Sequence, residues 1–145
     1  MINFIEGKIS TGAIDIRTTF DIQDLKNLAK KGLIEQRVNG RGKIYYYTET
    51  LAGGMRFGAF IRLREKRIEW LRLHWLDSPM RSWDDVSENG VKHEYLLLSE
   101  FIERSVESPP DKKGNRRLIW RFKWGELEVC YDLRAFQADI FMRPR

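Results

Sequence analysis

Three times along this chain, two β-prone runs are separated by a linker too short for anything but an antiparallel hairpin. Leu33-Ile34-Glu35-Gln36-Arg37-Val38 and Lys43-Ile44-Tyr45-Tyr46-Tyr47-Thr48 flank Asn39-Gly40-Arg41-Gly42, and Asn-Gly between such runs is a strong hairpin signal. The run from Phe57 to Arg64 meets the run from Ile68 to Trp75 across Glu65-Lys66. In it Phe60, Arg62 and Arg64 alternate with Ala59, Ile61 and Leu63, the period of a strand wet on one face. The third pair is Leu118 to Lys123 and Glu126 to Tyr131, turning at Trp124-Gly125.

Two helices are expected between these hairpins. Ile22, Leu25, Leu28 and Ala29 form one apolar face behind a cap at Thr19 or Asp21, and Gly32 follows Lys30 and Lys31 as a left-handed C-terminal residue. Ser82-Trp83-Asp84-Asp85 is similar to a capping box and predicts a second helix to about Val106, with Val91, Tyr95, Leu98 and Ile102 on one stripe. A first strand is expected over Phe4 to Ser10 and a short last one near Ala138 to Met142. The segment from Glu49 to Met55 is expected to be irregular, and Ser108 to Asn115 a mobile connection. The predicted order is β-α-β-β-β-β-α-β-β-β: an α+β fold with an antiparallel sheet of about seven or eight strands and two helices packed on it. Its 145 residues fit one domain, 1–145, and the 42% hydrophobic fraction is enough for a packed core.

Several chemistries lack their residues. No run approaches the ~20 apolar residues of a membrane span, and the N-terminus lacks the basic start and apolar run of a secretory signal. Cys130, the single cysteine, has no partner for an internal disulfide, so a cytoplasmic location is expected. His74 and His93 have no His or Cys companion at zinc-binding spacing, and no nucleophile elbow or phosphate-binding loop occurs. Cys130 between Val129 and Tyr131 reads as a buried structural thiol. Asp84, Asp85 and Glu88 suit a helix start, and Glu126 and Glu128 look solvated. No catalytic residue, metal site or cofactor is therefore expected.

A binding surface is the remaining reading. The chain carries five tryptophans, Trp70, Trp75, Trp83, Trp120 and Trp124, more than a small core needs, and exposed Trp with Arg characterises protein–protein hot spots. Arg62, Arg64, Arg72, Arg121, Trp124 and Arg134 are the candidate partner-binding residues. The net charge of +5, from 26 basic and 21 acidic residues, also allows an anionic partner. The segment from Leu25 through Lys30-Lys31-Gly32-Leu33-Ile34 to Tyr47 resembles the recognition helix and wing of winged-helix domains. That resemblance implies nucleic-acid contacts at Lys30, Lys31, Arg37, Arg41 and Lys43. It departs from the family before the helix, where Met1 to Phe20 reads as strand and turns instead of two further helices.

The second half is similar to small bacterial α+β immunity proteins encoded beside polymorphic or contact-dependent toxins. The similarity rests on Trp83, Glu88, Lys92-His93 and Leu96-Leu97, followed by Trp120, Trp124-Gly125 and Tyr131-Asp132. It implies a non-enzymatic module that neutralises a cognate toxin. Since immunity proteins against basic nucleases tend to be acidic, it points here to an acidic or non-nuclease toxin. The expected partners are thus a toxin or another protein, with nucleic acid as the alternative and no membrane. A homodimer through an edge strand is allowed, because the expected strands contain no proline.

Overall fold

The structure is a computed structural model that describes residues 1–79 and 87–145. Its elements are β1 (Ile2–Asn3), β2 (Lys8–Ser10), β3 (Asp15–Arg17), α1 (Ile22–Lys30), β4 (Glu35–Val38), β5 (Ile44–Ala52), β6 (Met55–Arg64) and β7 (Arg67–Trp75). Then follow α2 (Glu88–Val106), β8 (Lys112–Gly114), β9 (Arg117–Arg121), β10 (Gly125–Asp132) and β11 (Gln137–Pro144). Strands β1-β2-β3 make a small sheet. The rest make an eight-stranded sheet in the order β4-β5-β6-β7-β11-β10-β9-β8, with every pair antiparallel. The expected α+β fold is present: seven of the expected strands lie in the large sheet, whose eighth, β8, was not expected, and the expected first strand falls in the small sheet.

Turn chemistry sets the register. At the first expected hairpin, Gly42 donates to the Asn39 carbonyl and Asn39 to that of Lys43. The Asn39 carboxamide also accepts from the amides of Arg41 and Lys43. With Gly42 at φ 77°, this is a type I turn closed by a left-handed residue, not a two-residue Asn-Gly turn. Residues 65 and 66 form a two-residue turn with φ of 51° and 68°, both in the left-handed region although neither is glycine. Beyond it the ladder slips: Arg62 faces Trp70 but Leu63 faces Ile68, so Glu69 bulges out of β7.

Four expectations are corrected. Residues 49–55 are not irregular: β5 runs to Ala52, and Gly53-Gly54, at φ 58° and 77°, turn straight into β6. Phe4 to Ser10 is not one strand but a turn leading into β2. The polar segment after Ser108 supplies the edge strand β8, held by Asp111 N–H donating to the Ile119 carbonyl. The last strand is eight residues long, ends in Pro144 and lies in the middle of the sheet; the edges, β4 and β8, contain no proline. Helix α2 begins within the described residues at Glu88, with Ser87 as its cap accepting from Gly90 N–H at 3.0 Å. The capping motif at Ser82, Trp83, Asp84 and Asp85 lies outside the described residues.

Among the described residues, one face of the large sheet is covered and the other is open. The register places Tyr46, Phe57, Ala59, Ile61, Leu71, Leu73, Ile140, Met142, Leu127, Val129 and Trp120 on one side, all buried. Helix α2 lies over β10 and β11, burying Leu98, Phe101 and Ile102. The N-terminal unit covers the β5–β6 part, with Phe4 edge-on to Phe101 at 5.8 Å and Phe101 stacked on Phe57 at 5.8 Å. Ile9, Ile16 and Leu25 have no exposed surface in this layer, and each such burial contributes about 2 kcal/mol. Helix α1 is fixed by a reciprocal cap: Asp21 accepts from the Asp24 amide and Asp24 from the Asp21 amide. Trp124 ties the C-terminal hairpin to this unit, its indole N–H donating to the Phe4 carbonyl at 2.7 Å.

Candidate functional site

The open face follows from alternation, since each residue next to a core position along a strand points away from the core. One complete transect crosses all eight strands: Glu35, Tyr47, Phe60, Arg72, Phe141, Glu128, Ile119 and Lys112 are successive register partners. Beside it, all on one flank, run Arg37, Tyr45, Arg62 and Trp70 and, continuing across β11, β10 and β9, Arg143, Glu126 and Arg121. Rings and guanidinium groups therefore interleave. Arg37 lies 3.9 Å over the Tyr47 ring, Arg72 4.5 Å over Phe60 and Arg143 4.5 Å over Phe141. Tyr47 meets Phe60 at 5.0 Å, and Trp70 meets Phe141 edge-on at 5.5 Å. A planar cation over a ring face is attracted by the ring quadrupole, so the side chains hold one another in place.

The arginines are also neutralised on the same face. Arg37 makes a two-point contact with Glu35, 2.9 and 3.1 Å, and this hydrogen bond holds the Glu35 carboxyl below its ordinary range. Arg62 meets Glu69 at 3.2 Å, Arg121 meets Glu126 at 3.3 Å and Arg56 meets Glu49 at 3.1 Å. Glu128 is only 9% exposed, between Arg143 at 3.0 Å and Arg117 at 3.6 Å. It is not the solvated carboxylate that its alternation with Glu126 suggested. Asp139, 8% exposed, accepts from Gln137 at 2.8 Å, lies 2.9 Å from His74 Nδ1, and has Arg72 at 4.0 Å.

Cys130 faces Asp139 across the β10–β11 ladder. Burial, with Glu128 and Asp139 nearby, pushes the thiol up to about 12, so it stays protonated at neutral pH. Its cross-strand neighbour is a carboxylate, and His74 is turned toward that carboxylate. The arrangement gives Cys130 no adjacent imidazole base. His93 is exposed on α2. Among the described residues, no group of three or more His, Cys, Asp or Glu is placed to hold a metal ion, and no helix is long and apolar enough to cross a membrane.

The structure gathers some of the sequence-predicted residues and separates others. Arg62, Arg72 and Arg121 stand on the open face, and Arg64 follows Arg62 by alternation at the end of β6. Arg134 is exposed in the turn between β10 and β11, its amide donating to Asp132. Trp124 is half-buried against Phe122 and Phe4, outside the gathered group. Of the other tryptophans, Trp75 and Trp120 are core, Trp70 is on the open face, and Trp83 lies outside the described residues. The residues of the winged-helix resemblance also divide. Lys30 and Lys31 are exposed on α1 and beyond its end, Arg41 and Lys43 at the first hairpin turn, and Arg37 is in the Glu35–Tyr47 cluster. Residues 1–20 hold three short strands, not the two helices that fold needs ahead of α1.

Sequence reasoning missed Tyr45, Tyr47, Phe60, Phe141 and Arg143 as members of this surface. The shared strand face of Phe60 and Arg62 was the available signal; the pairing of β7 with β11, remote in sequence, had none. No protein-family model, curated protein or solved structure matches this chain.

Proposed function

We propose that this chain is a protein-binding module that docks its partner on the open face of the eight-stranded sheet. The observation that carries the reading is the set of arginines that are stacked on rings and paired with carboxylates of the same face. Such side chains have already lost most of their rotamer freedom, so little more is lost on binding. They present flat guanidinium and aromatic area, the chemistry of hot spots. Their charge is locally balanced, whereas a phosphate track draws its affinity from cations free to displace counterions. The sheet is wide enough: eight strands at about 4.8 Å spacing span about 34 Å, and a standard interface needs ~800 Å² from each partner.

The partner we propose is a cognate bacterial toxin, a reading supported by the likeness of residues 83–145 to immunity proteins. A large secreted toxin encoded next to this chain would support it. The direct test uses the chain as bait in lysate of its own cells, with Arg62→Glu combined with Trp70→Ser as the comparison. The wild type should retain a partner that the variant loses, and neither should shift DNA or RNA at physiological salt. Tight, steeply salt-dependent nucleic-acid binding would overturn the reading.

A further inference from the structure

A cavity of about 300 Å³ opens on the aromatic flank of the sheet, between the first hairpin turn and β7. Its apolar walls come from Tyr45, Phe60 and Trp70, and its charged lining from Lys43, Arg62 and Arg72. Among the described residues, three cations line it and no carboxylate does, although the face around it is balanced. The acids that meet Arg62 and Arg72, Glu69 and Asp139, are not among its lining residues. Arg72 is also under-satisfied. Its nearest carboxylate contact is long, 4.0 Å to Asp139, and its Nε is buried without a hydrogen-bond partner among the described residues. A buried donor left without an acceptor is unfavourable. A carboxylate can take two parallel N–H donors from a guanidinium, which gives such donors an acceptor.

We infer that this cleft is the anchor point of the docking face and receives a carboxylate side chain from a partner loop, with an apolar or aromatic neighbour beside it. The inference rests on the reading of the open face as a protein-binding surface. In the docked state the carboxylate oxygens accept from Arg72 and Arg62, Lys43 closes the rim, and the neighbouring side chain lies against Trp70 and Tyr45. Charge complementarity selects the occupant: an acidic segment brings a carboxylate closer to Arg72 than Asp139, at 4.0 Å, and adds negative charge to a lining of three cations, whereas a neutral one brings no charge and a basic one is repelled.

The test uses the full chain and two blocked tripeptides, Glu-Phe-Glu and Gln-Phe-Gln, monitored by the indole N–H signal of Trp70 in nitrogen–proton NMR spectra. Trp70→Phe assigns that signal. The acidic peptide should shift it saturably and the neutral one should not, with Arg72→Met weakening binding about tenfold. Arg62→Gln, at an exposed position, should weaken it as well and guards against a folding defect in Arg72→Met. Equal shifts from both peptides, or none from either, would overturn the inference. If in addition the lysate partner still binds Arg72→Met and Arg62→Gln but not the Arg62→Glu, Trp70→Ser variant, the cleft falls and the docking face stands. If a uridine tetranucleotide shifts Trp70 at lower concentration than the acidic peptide, both fall.

Discussion

Gly7 and Trp124 show how one residue can decide whether two distant parts of this chain pack. Gly7 sits at φ 69°, and a methyl group there would lie 2.6 Å from Trp124 Cγ. Gly7→Ala combines a left-handed backbone with a steric clash and should destabilise the fold by about 2 kcal/mol in urea melts. Trp124 illustrates what the sequence alone could not place: its hydrogen-bond partner, Phe4, is 120 positions away, and no local pattern reveals such a contact. Glu128 is a second example, since its role depends on Arg143 and Arg117 from strands on either side. Cys130 carries a prediction with a definite sign. Its thiol rises from 9.0 to about 12 on folding, so above pH 9 the unfolded chain releases a proton that the folded chain keeps. Stability contributed by this group is therefore complete below pH 9 and declines as pH climbs toward 12. In the same way, iodoacetamide at pH 8 should label the native thiol far more slowly than the urea-unfolded one, as read by mass spectrometry.

The hairpins were the most legible elements, because turn residues act over two or three positions and need no tertiary information. The turn at Glu65-Lys66 places two non-glycine residues in left-handed conformations, each an unfavourable backbone state held by the flanking ladder. Replacing them with Asn-Gly should stabilise the chain by about 1 kcal/mol, because both residues tolerate that conformation. The Lys66 carbonyl that accepts from Ile22 N–H would be unchanged. A smaller gain or a loss in thermal melts would mean that the Glu65 and Lys66 side chains contribute contacts of their own. Strand β8 was hidden for the opposite reason: Pro109-Pro110 and a run of charges describe an exposed segment, and only pairing with β9 makes it a strand. At the helix scale, Ser87→Ala should remove one amide acceptor from α2 and lower stability by about 1 kcal/mol.

Across the whole molecule, hairpins specify neighbours but not the order of the sheet. The joining of β7 to β11, which puts the first and last thirds of the chain in one sheet, brings Arg72 beside Phe141 and Trp70 against the same ring. The interleaved open face exists only because of that junction, so its arginines were legible as candidates and its rings were not. The layer of α2 and the N-terminal unit takes the other face, and the asymmetry between a covered and an open side is the basis of the functional account. The most direct test is the affinity of the captured partner for three chains: the wild type, the Arg62→Glu, Trp70→Ser variant, and Glu103→Lys on the exposed side of α2. The account predicts that binding is lost in the second and unchanged in the third, with all three folded at the temperature of the binding measurement, as thermal melts should show. Loss in Glu103→Lys with full binding by the sheet-face variant would contradict it and move the interface to the helical layer.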